Sequence, residues 1–526
     1  MVDENLCKLI IESGGEIFPL NINSKDSKGM GLCNPSIIKH NGDNLLNLRN
    51  VFYNLYVTED EKKFPSRSGP IIYMVDDGTN SLVTENYMCK MDNKYEIINS
   101  YNLTNTTKLD KKPKWTFIGL EDARLVSWEG KLYQTGVRRD TTTNGVGRME
   151  LSEINDSFDE ISRVRINIPS GKTYEEGGSY CEKNWMPIND LPFHYIKWTS
   201  PTEIVKVNPE NGNSNVVKTV KQKPNISKRD IRGSSNVIKY KNYWVALTHE
   251  VDLWRNYNNQ KEAIYWHRFV VWDDKWEIKY FSKEFRFSSA LIEFSCGLSF
   301  DNGELIIPFS IQDNTSFILK CTTDTFEYIV GINKNKPKVK NLLNNDIINN
   351  FMINPHNSKN NTLMGDYYYK LGHLASAMGF YLRAAETSNE QNLEYNNYYM
   401  ATKCVANLGK RDKDEFYMWR RLIEIDPSRY EGYVALCRYY DCRKEKLMCK
   451  LTAQEGMRNY IPCKFEINIF DATFFELEWY SKYYELYEGK KKNVIDFLYE
   501  SKKRKNSIPD FWVKLINKKI KELEIK

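Results

Sequence analysis

The sequence is short of several things, and each shortage closes a class of function. Nowhere do about 18 consecutive apolar residues occur, so no membrane-spanning helix is expected. The N-terminal stretch Met1-Val-Asp-Glu-Asn-Leu-Cys-Lys-Leu-Ile-Ile-Glu has no basic leader, and its apolar run is too short for a signal peptide. Charge of one sign is also scarce: 75 basic residues face 69 acidic ones, a net of +6, which excludes a nucleic-acid partner held by a broad cationic field. The lysine-rich patches Lys490-Lys491-Lys492 and Lys502-Lys503-Arg504-Lys505 read as solvated helix face. The 11 cysteines include no CxxC pair, and the closest group, Cys437, Cys442 and Cys449, has no His/Cys set to complete a zinc site. That usage fits reduced thiols and a cytoplasmic location. There is no glycine-rich phosphate loop, no metal-ligand cluster and no nucleophile elbow, so neither a cofactor nor a metal is expected.

From about residue 15 to about residue 330, short strand-like runs alternate with turn residues and helical periodicity is nearly missing. Hairpin turns fall near 41, 129, 190, 241 and 302, mostly at the 40–60-residue spacing of a propeller blade. Five blades of four strands would use up this segment, and radial closure would spare its short strands an exposed edge. A pair of β-sandwiches is the alternative architecture. The expected first domain, a five-bladed β-propeller, is therefore 1–334.

Residues 335–361 are rich in lysine and asparagine and read as a linker. From 362 to 526 the pattern is α-helical. Gly365, Tyr368, Gly372, Ala377, Tyr381 and Ala384 stand at the spacing of a tetratricopeptide repeat, small residues allowing close helix approach and bulky ones filling the gap. A degenerate second copy runs from Tyr398 through Gly409 to Ile425-Asp426-Pro427, and a third begins near Tyr433. A plain helical bundle is the alternative.

The stretch Gly119-Leu-Glu-Asp-Ala-Arg-Leu-Val-Ser-Trp-Glu-Gly-Lys-Leu-Tyr-Gln-Thr-Gly-Val-Arg-Arg-Asp140 reads as strand, turn, strand. It would return Arg138 and Arg139 to the end where Glu121 and Asp122 stand. A carboxyl beside clustered guanidinium groups can move a proton while an anion is held. An ordinary ion pair between hairpin ends is the plainer reading. Further cations are Arg148, Lys183, His249 and Arg232, suited to phosphate; Asp313 follows a strongly apolar strand, placed to accept from sugar hydroxyls or to cap a turn. Most of the tryptophans (Trp128, Trp185, Trp198, Trp244, Trp254 and Trp266) are expected between blades, with a minority stacking on sugar.

Taken together, these residues resemble the five-bladed β-propeller mannoside phosphorylases and hydrolases of glycoside hydrolase family 130, and the mannosyltransferases related to them. Asn34-Pro-Ser with Arg49 resembles the first sugar-binding strand. Gly119-Leu-Glu-Asp-Ala-Arg resembles the Glu-Asp-Pro-Arg motif that carries the catalytic acid, a role falling on Asp122, with Ala123 in place of the usual proline. Lys183 in Glu-Lys-Asn-Trp-Met-Pro is similar to the phosphate-binding lysine, and Arg138, Arg139 and Arg148 to its arginines. Arg232-Gly-Ser-Ser…Trp244…Thr248-His249 resembles the segment ending in the active-site histidine. Asp313 matches the late aspartate that, with Asn34, Arg49 and Glu121, would hold sugar.

The resemblance covers about residues 30–325 and implies a glycosidic, mannosidic bond made or broken with inversion, through a phosphate-bearing sugar donor or product. The expected partners are a saccharide with phosphate, a sugar phosphate or a sugar nucleotide, and a protein or glycan on the helical repeats. A glycoside hydrolase is one alternative, and a non-catalytic propeller and repeat scaffold is another.

Overall fold

A computed structural model describes residues 5–54, 72–73, 82–102, 117–140, 147–169, 183–222, 227, 229–255, 261–290, 292–338, 346–409, 412–459, 495–496, 498–499, 502–503 and 510–525. The chain divides into two compact units, Met1–Phe380 and Tyr381–Lys526.

The first unit is a five-bladed β-propeller. It opens with α1 (Leu6–Glu12) and β1 (Glu16–Leu20). Blade I runs β2 (Gly31–His40), β3 (Asp43–Val51), β6 (Leu82–Met91) and β7 (Ile97–Asn102); the small pair β4 (Tyr53–Asn54) and β5 (Ile72–Tyr73) lies between, and β8 (Phe117–Ile118) runs parallel to β6. Blade II is β9 (Glu121–Trp128), β10 (Lys131–Arg138), β11 (Arg148–Ile154) and β12 (Glu160–Arg165). Blade III is β13 (Met186–Pro187), β14 (His194–Trp198), β15 (Thr202–Val207) and β16 (Ser214–Val220). Blade IV has an inner strand in two pieces, β17 (Arg232–Gly233) and β18 (Ile238–Tyr240), then β19 (Tyr243–Arg255), β20 (Lys261–Trp272) and β21 (Ile278–Phe281). Blade V likewise has β22 (Glu293–Phe294) and β23 (Ser299–Asp301), then β24 (Glu304–Ile311) and β25 (Thr315–Thr322).

Blade V is completed by the first strand of the chain. β1 pairs antiparallel with β25, Glu16 opposite Lys320 and Phe18 opposite Ile318, so the two ends of the propeller segment share one sheet. This closes the ring and leaves no seam between first and last blades.

Each blade alone has two apolar faces, and the core lies where neighbours press together. Val126, Trp128 and Val137 of blade II meet Trp185, Phe193 and Tyr195 of blade III. Ile188, Ile196 and Ile204 of blade III meet Val237, Val270 and Trp272 of blade IV. Ile306 and Ile318 of blade V meet Leu32, Ile37 and Leu46 of blade I. Stacked Phe287 and Phe309, 4.4 Å between ring centres, join blades IV and V. Trp128, Trp185 and Trp272 are fully buried here, each contributing on the order of 2–3 kcal/mol through area removed from water. Of the six tryptophans weighed for ligand, this takes Trp128 and Trp185 out of contention. Trp254 has a side chain outside the described residues.

The five anticipated turns are the first hairpins of the five blades. Asn41-Gly42 joins β2 to β3, Glu129-Gly130 joins β9 to β10, residues 188–193 join β13 to β14, Lys241-Asn242 joins β18 to β19, and Asn302-Gly303 joins β23 to β24. In every blade the innermost strand starts at one face of the propeller and turns at the other.

Helices follow the propeller: α2 (Thr323–Val330), α3 (Ile347–Ile353), α4 (Ser358–Leu371) and α5 (Leu374–Glu386). α4 is capped at its start by Asn357, whose side chain accepts from the Asn360 amide, and ends at Gly372 with φ 80°. The second unit contains α6 (Gln391–Leu408), α7 (Asp412–Ile425), α8 (Glu431–Cys442), α9 (Lys446–Asn459) and α10 (Asp510–Ile525). Its core is built from Tyr395, Tyr398, Leu422 and Tyr433, with the buried pair Arg429 and Glu431 at 2.8 Å under the Tyr395 ring. The repeat-spaced Gly365, Tyr368, Ala377, Tyr381 and Ala384 are all buried. Among the described residues, no helix is long and apolar enough to cross a membrane.

Candidate active site

The inner-strand starts carry chemistry. In blade I, β2 and β3 slip register between Cys33 and Ser36, and Asn34 sits in that irregularity with φ 47°. In blade II, β9 and β10 slip between Thr135 and Val137, and Asp122 there has φ 52°. Gly136 makes the second irregularity possible: a Cβ on it would lie 2.5 Å from the Glu121 carbonyl oxygen. In blade V, β24 and β25 are joined by a tight turn closed by the Asn314 amide donating to the Ile311 carbonyl at 3.0 Å. Its central residues Gln312 and Asp313 have φ 53° and 49°, the mirror-image turn a hairpin prefers. Asn and Asp tolerate the left-handed region best among residues with a Cβ, and here three such side chains are turned toward one another.

Asn34 Nδ2 donates to Asp122 Oδ1 at 2.7 Å, and Ser310 Oγ of blade V donates to Asn34 Oδ1 at 2.8 Å, which fixes the amide. Arg49, buried on β3, distributes its guanidinium among three partners: Nη1 to Asp122 Oδ1 at 3.1 Å, Nε to Thr84 Oγ1 at 3.1 Å, and Nη2 to the Tyr53 hydroxyl at 3.2 Å. The Tyr53 hydroxyl donates in turn to Asp313 Oδ2 at 3.0 Å. One arginine thereby ties two aspartates from different blades. Arg124, buried, donates from Nη1 to the Asp122 carbonyl at 2.9 Å and from Nε to the Ser234 carbonyl of blade IV at 2.6 Å, locking the strand start that carries the acid.

The two aspartates are pushed apart electrostatically. Burial raises the Asp122 carboxyl, but Arg49, Lys183, Arg124 and the Asn34 hydrogen bond together win and hold it below the usual range. For Asp313, burial and the charge of Asp122 prevail over Arg49 and Tyr53, and its carboxyl is raised. His249 is buried, its Nδ1 2.9 Å from Ser234 Oγ and its ring 5.7 Å from stacked Tyr265. Burial, then His267, Arg232, Lys183 and Arg124, drive it well below its ordinary value. At neutral pH His249 therefore offers a hydrogen bond and not a charge.

The structure brings together Asn34, Arg49, Asp122 and Asp313, with Lys183 near enough for its charge to act on both Asp122 and His249. Glu121 lies alongside, 4.0 Å from Arg49 Nη2 and 3.7 Å from Arg139 Nε. Arg138 and Arg148 belong to the body of blade II. Arg138 Nε donates to buried Glu150 at 3.0 Å, a carboxylate that also takes Arg163 at 3.3 Å and Arg165 at 3.1 Å. Arg148 stands opposite Arg138 on β11, two strands out from Asp122, roughly 10 Å by strand spacing, and donates to the Gly147 carbonyl. Sequence reasoning did not single out Tyr53, Tyr265 or Ser310, and it met Ser234 only inside the Arg232-Gly-Ser-Ser stretch. Tyr53 had a faint signal, four residues after Arg49 and so on the same face of an extended chain; Tyr265 and Ser310 come from distant strands and had none. Among the described residues, no group of His, Cys, Asp or Glu could hold a metal ion.

No protein-family profile matches the sequence, and no curated protein matches it. Solved structures do align with it. A β-1,2-mannobiose phosphorylase from Listeria innocua, seen with β-1,2-mannobiose, is 11% identical over 58% of this chain and 93% of its own, with a TM-score of 0.36. A GDP-Man-dependent mannosyltransferase from Leishmania mexicana is 11% identical over 58% of this chain and 90% of its own, at 0.38. A mannose phosphorylase from the same organism, bound to phosphate, is 9% identical over 56% and 84%, at 0.34.

Proposed function

We propose that the chain is an inverting carbohydrate-active enzyme that forms a glycosidic bond from a phosphate-bearing sugar, a sugar phosphate or a sugar nucleotide, with mannose as the sugar. The observation that carries this reading is Asp122: a carboxylate held ionised by Arg49, Lys183 and Arg124, directly beside the groups that would hold sugar. An ionised carboxylate is ready to accept a proton, as the forward, synthetic direction needs. In that direction the acceptor hydroxyl gives its proton to Asp122 while its oxygen forms the new bond to the anomeric carbon. The bond from that carbon to the donor's phosphate oxygen breaks on the opposite side, and the electron pair leaves with the phosphate.

A phosphate leaving group needs charge, not a proton. Lys183 and Arg139 would provide it, with a hydrogen bond from His249. Asn34, Arg49, Glu121 and Asp313 would hold the sugar. Arg138 and Arg148 would add positive charge from within blade II. Phosphorolysis is the same path reversed, with Asp122 first taking up the proton it then delivers.

The helices α4–α9 are proposed to form tetratricopeptide-like hairpins that hold a glycan or protein acceptor. The nine described cysteines are all free, which fits a cytoplasmic setting.

The test is incubation with mannose 1-phosphate or GDP-mannose and a mannooligosaccharide acceptor, comparing the native chain with Asp122→Asn. Product formation is expected to fall about a thousand-fold in the variant. Unchanged product would remove Asp122 from the reaction, and no turnover with any donor would favour the binding scaffold.

A further inference from the structure

Asp313 is held in place from behind. Its neighbour Asn314 is buried, and the backbone there is gripped by the start of α5: Ser376 Oγ donates to the Asn314 carbonyl at 2.8 Å, and Asn314 Nδ2 donates to the Ala375 carbonyl at 3.3 Å. The same turn of helix reaches the segment leading into β2. The Ala375 amide donates to the Gly29 carbonyl at 2.9 Å, and His373 places Nε2 3.0 Å from the Ile22 carbonyl and Nδ1 3.5 Å from Ser27 Oγ.

His373, Ser376, Ala375 and Ser27 are all buried, so these bonds are sheltered from water. Gly31, the first residue of β2, lets Asn314 come this close: a Cβ there would lie 2.6 Å from Asn314 Oδ1. Gly372 plays the same part for Ser24, whose Oγ would lie 2.6 Å from an added Cβ. Two segments, 22–31 before Asn34 and 311–315 around Asp313, thus meet on one short stretch, residues 372–376.

We propose that this stretch is a brace for the sugar site: Ser376 and Asn314 are positioning residues that keep Asp313 and Asn34 aimed at the same sugar, so the helical hairpin α4–α5 is a working part of the propeller. The physical reason lies in the turn. Gln312 and Asp313 both take the left-handed conformation, which costs roughly 1–2 kcal/mol per residue. A turn of that kind keeps one shape only when its surroundings over-determine it. Within blade V the turn receives the Ile311–Asn314 bond and a Gln312 amide donating to the Ile292 carbonyl at 2.7 Å. From outside the blade, Tyr53 holds the Asp313 carboxylate, and Ala375 and Ser376 hold Asn314.

The inference rests on the sugar-holding role proposed for Asp313, so its test needs a readout that does not depend on turnover. Full-length Ser376→Ala, Asn314→Ala and the double variant are compared with the native chain by hydrogen exchange across 311–315 and 31–36. Calorimetry with β-1,2-mannobiose and with inorganic phosphate follows, and Ser376→Thr serves as the hydroxyl-retaining control.

Exchange at 311–315 is expected to quicken about ten-fold in the double variant. Mannobiose affinity should fall about ten-fold, phosphate affinity stay within about two-fold, and Ser376→Thr restore most of both. Unchanged exchange at 311–315 overturns the brace whichever way binding falls. Equal loss of sugar and phosphate affinity in step with a lowered melting temperature also overturns it, because it marks a general weakening. Failure of the native chain to bind mannobiose overturns the functional reading instead.

Discussion

The two faces of the propeller use the same backbone conformation for opposite ends. On the face of the first hairpin turns, Asn41-Gly42, Glu129-Gly130 and Asn302-Gly303 carry positive φ at both positions, 50° and 88°, 51° and 77°, 50° and 81°. Open space surrounds those glycines. The left-handed residues there do nothing but reverse the chain. On the other face, Asn34, Asp122 and Asp313 take φ of 47°, 52° and 49°. Here the conformation aims a side chain, and hydrogen bonds from Arg49, Arg124, Tyr53 and Ser376 hold it. A strained dihedral that is cheap to relax marks a turn, and one that neighbouring blades enforce marks a working site.

That contrast can be broken experimentally. Removing charge from the site face has the largest expected effect after loss of Asp122 itself. Lys183→Ala should weaken the phosphate-bearing donor about 10- to 100-fold, read as KM, with little change in melting temperature, because Lys183 is exposed.

Next comes Arg49→Gln. In its proposed role as a base, Asp122 must be ionised, so the rate is expected to fall as pH drops through its pKa. Since that pKa is lowered, the acidic limb of the native profile lies below the ordinary aspartate range. Arg49 leads the groups that pull it down against burial, so the limb should move to higher pH in the variant, and neutral-pH turnover should fall about ten-fold. A limb that stays in place would separate Asp122 from the titration.

The smallest effects compare the two faces glycine for glycine. Gly136→Ala puts a methyl against the Glu121 carbonyl and should cost about 1–3 kcal/mol in unfolding free energy while lowering turnover. Gly130→Ala meets no neighbour and should cost about 1 kcal/mol with turnover intact. Equal losses of turnover would erase the distinction between the faces.

The two faces also differ in how openly the sequence declares them. Asn-Gly and Glu-Gly between alternating apolar runs are local signals, and they located the blade hairpins because a tight reversal needs those residue types wherever it occurs. Asp122 and Asp313 carry weaker local marks, an acidic pair that a hairpin returns to two arginines and an aspartate after an apolar strand, and their particular roles came forward by resemblance to a family's motifs. Arg138 shows the limit. It stands beside Arg139 in the sequence, yet its guanidinium meets Glu150 and Asp140 while that of Arg139 lies 3.7 Å from Glu121. Tyr53, Tyr265 and Ser310 went unread because their meaning depends on which blades stand next to them.

What the sequence determined by itself was the periodic part: five hairpins and the change from strand to helix. Those follow from the propensities of neighbouring residues. Ring closure by β1 on β25, the fork of Arg49 between two aspartates and the grip of α5 on the Asp313 turn were decided only in three dimensions. They join residues up to some 300 positions apart, and a carboxylate's charge state depends on what surrounds it in space, not along the chain.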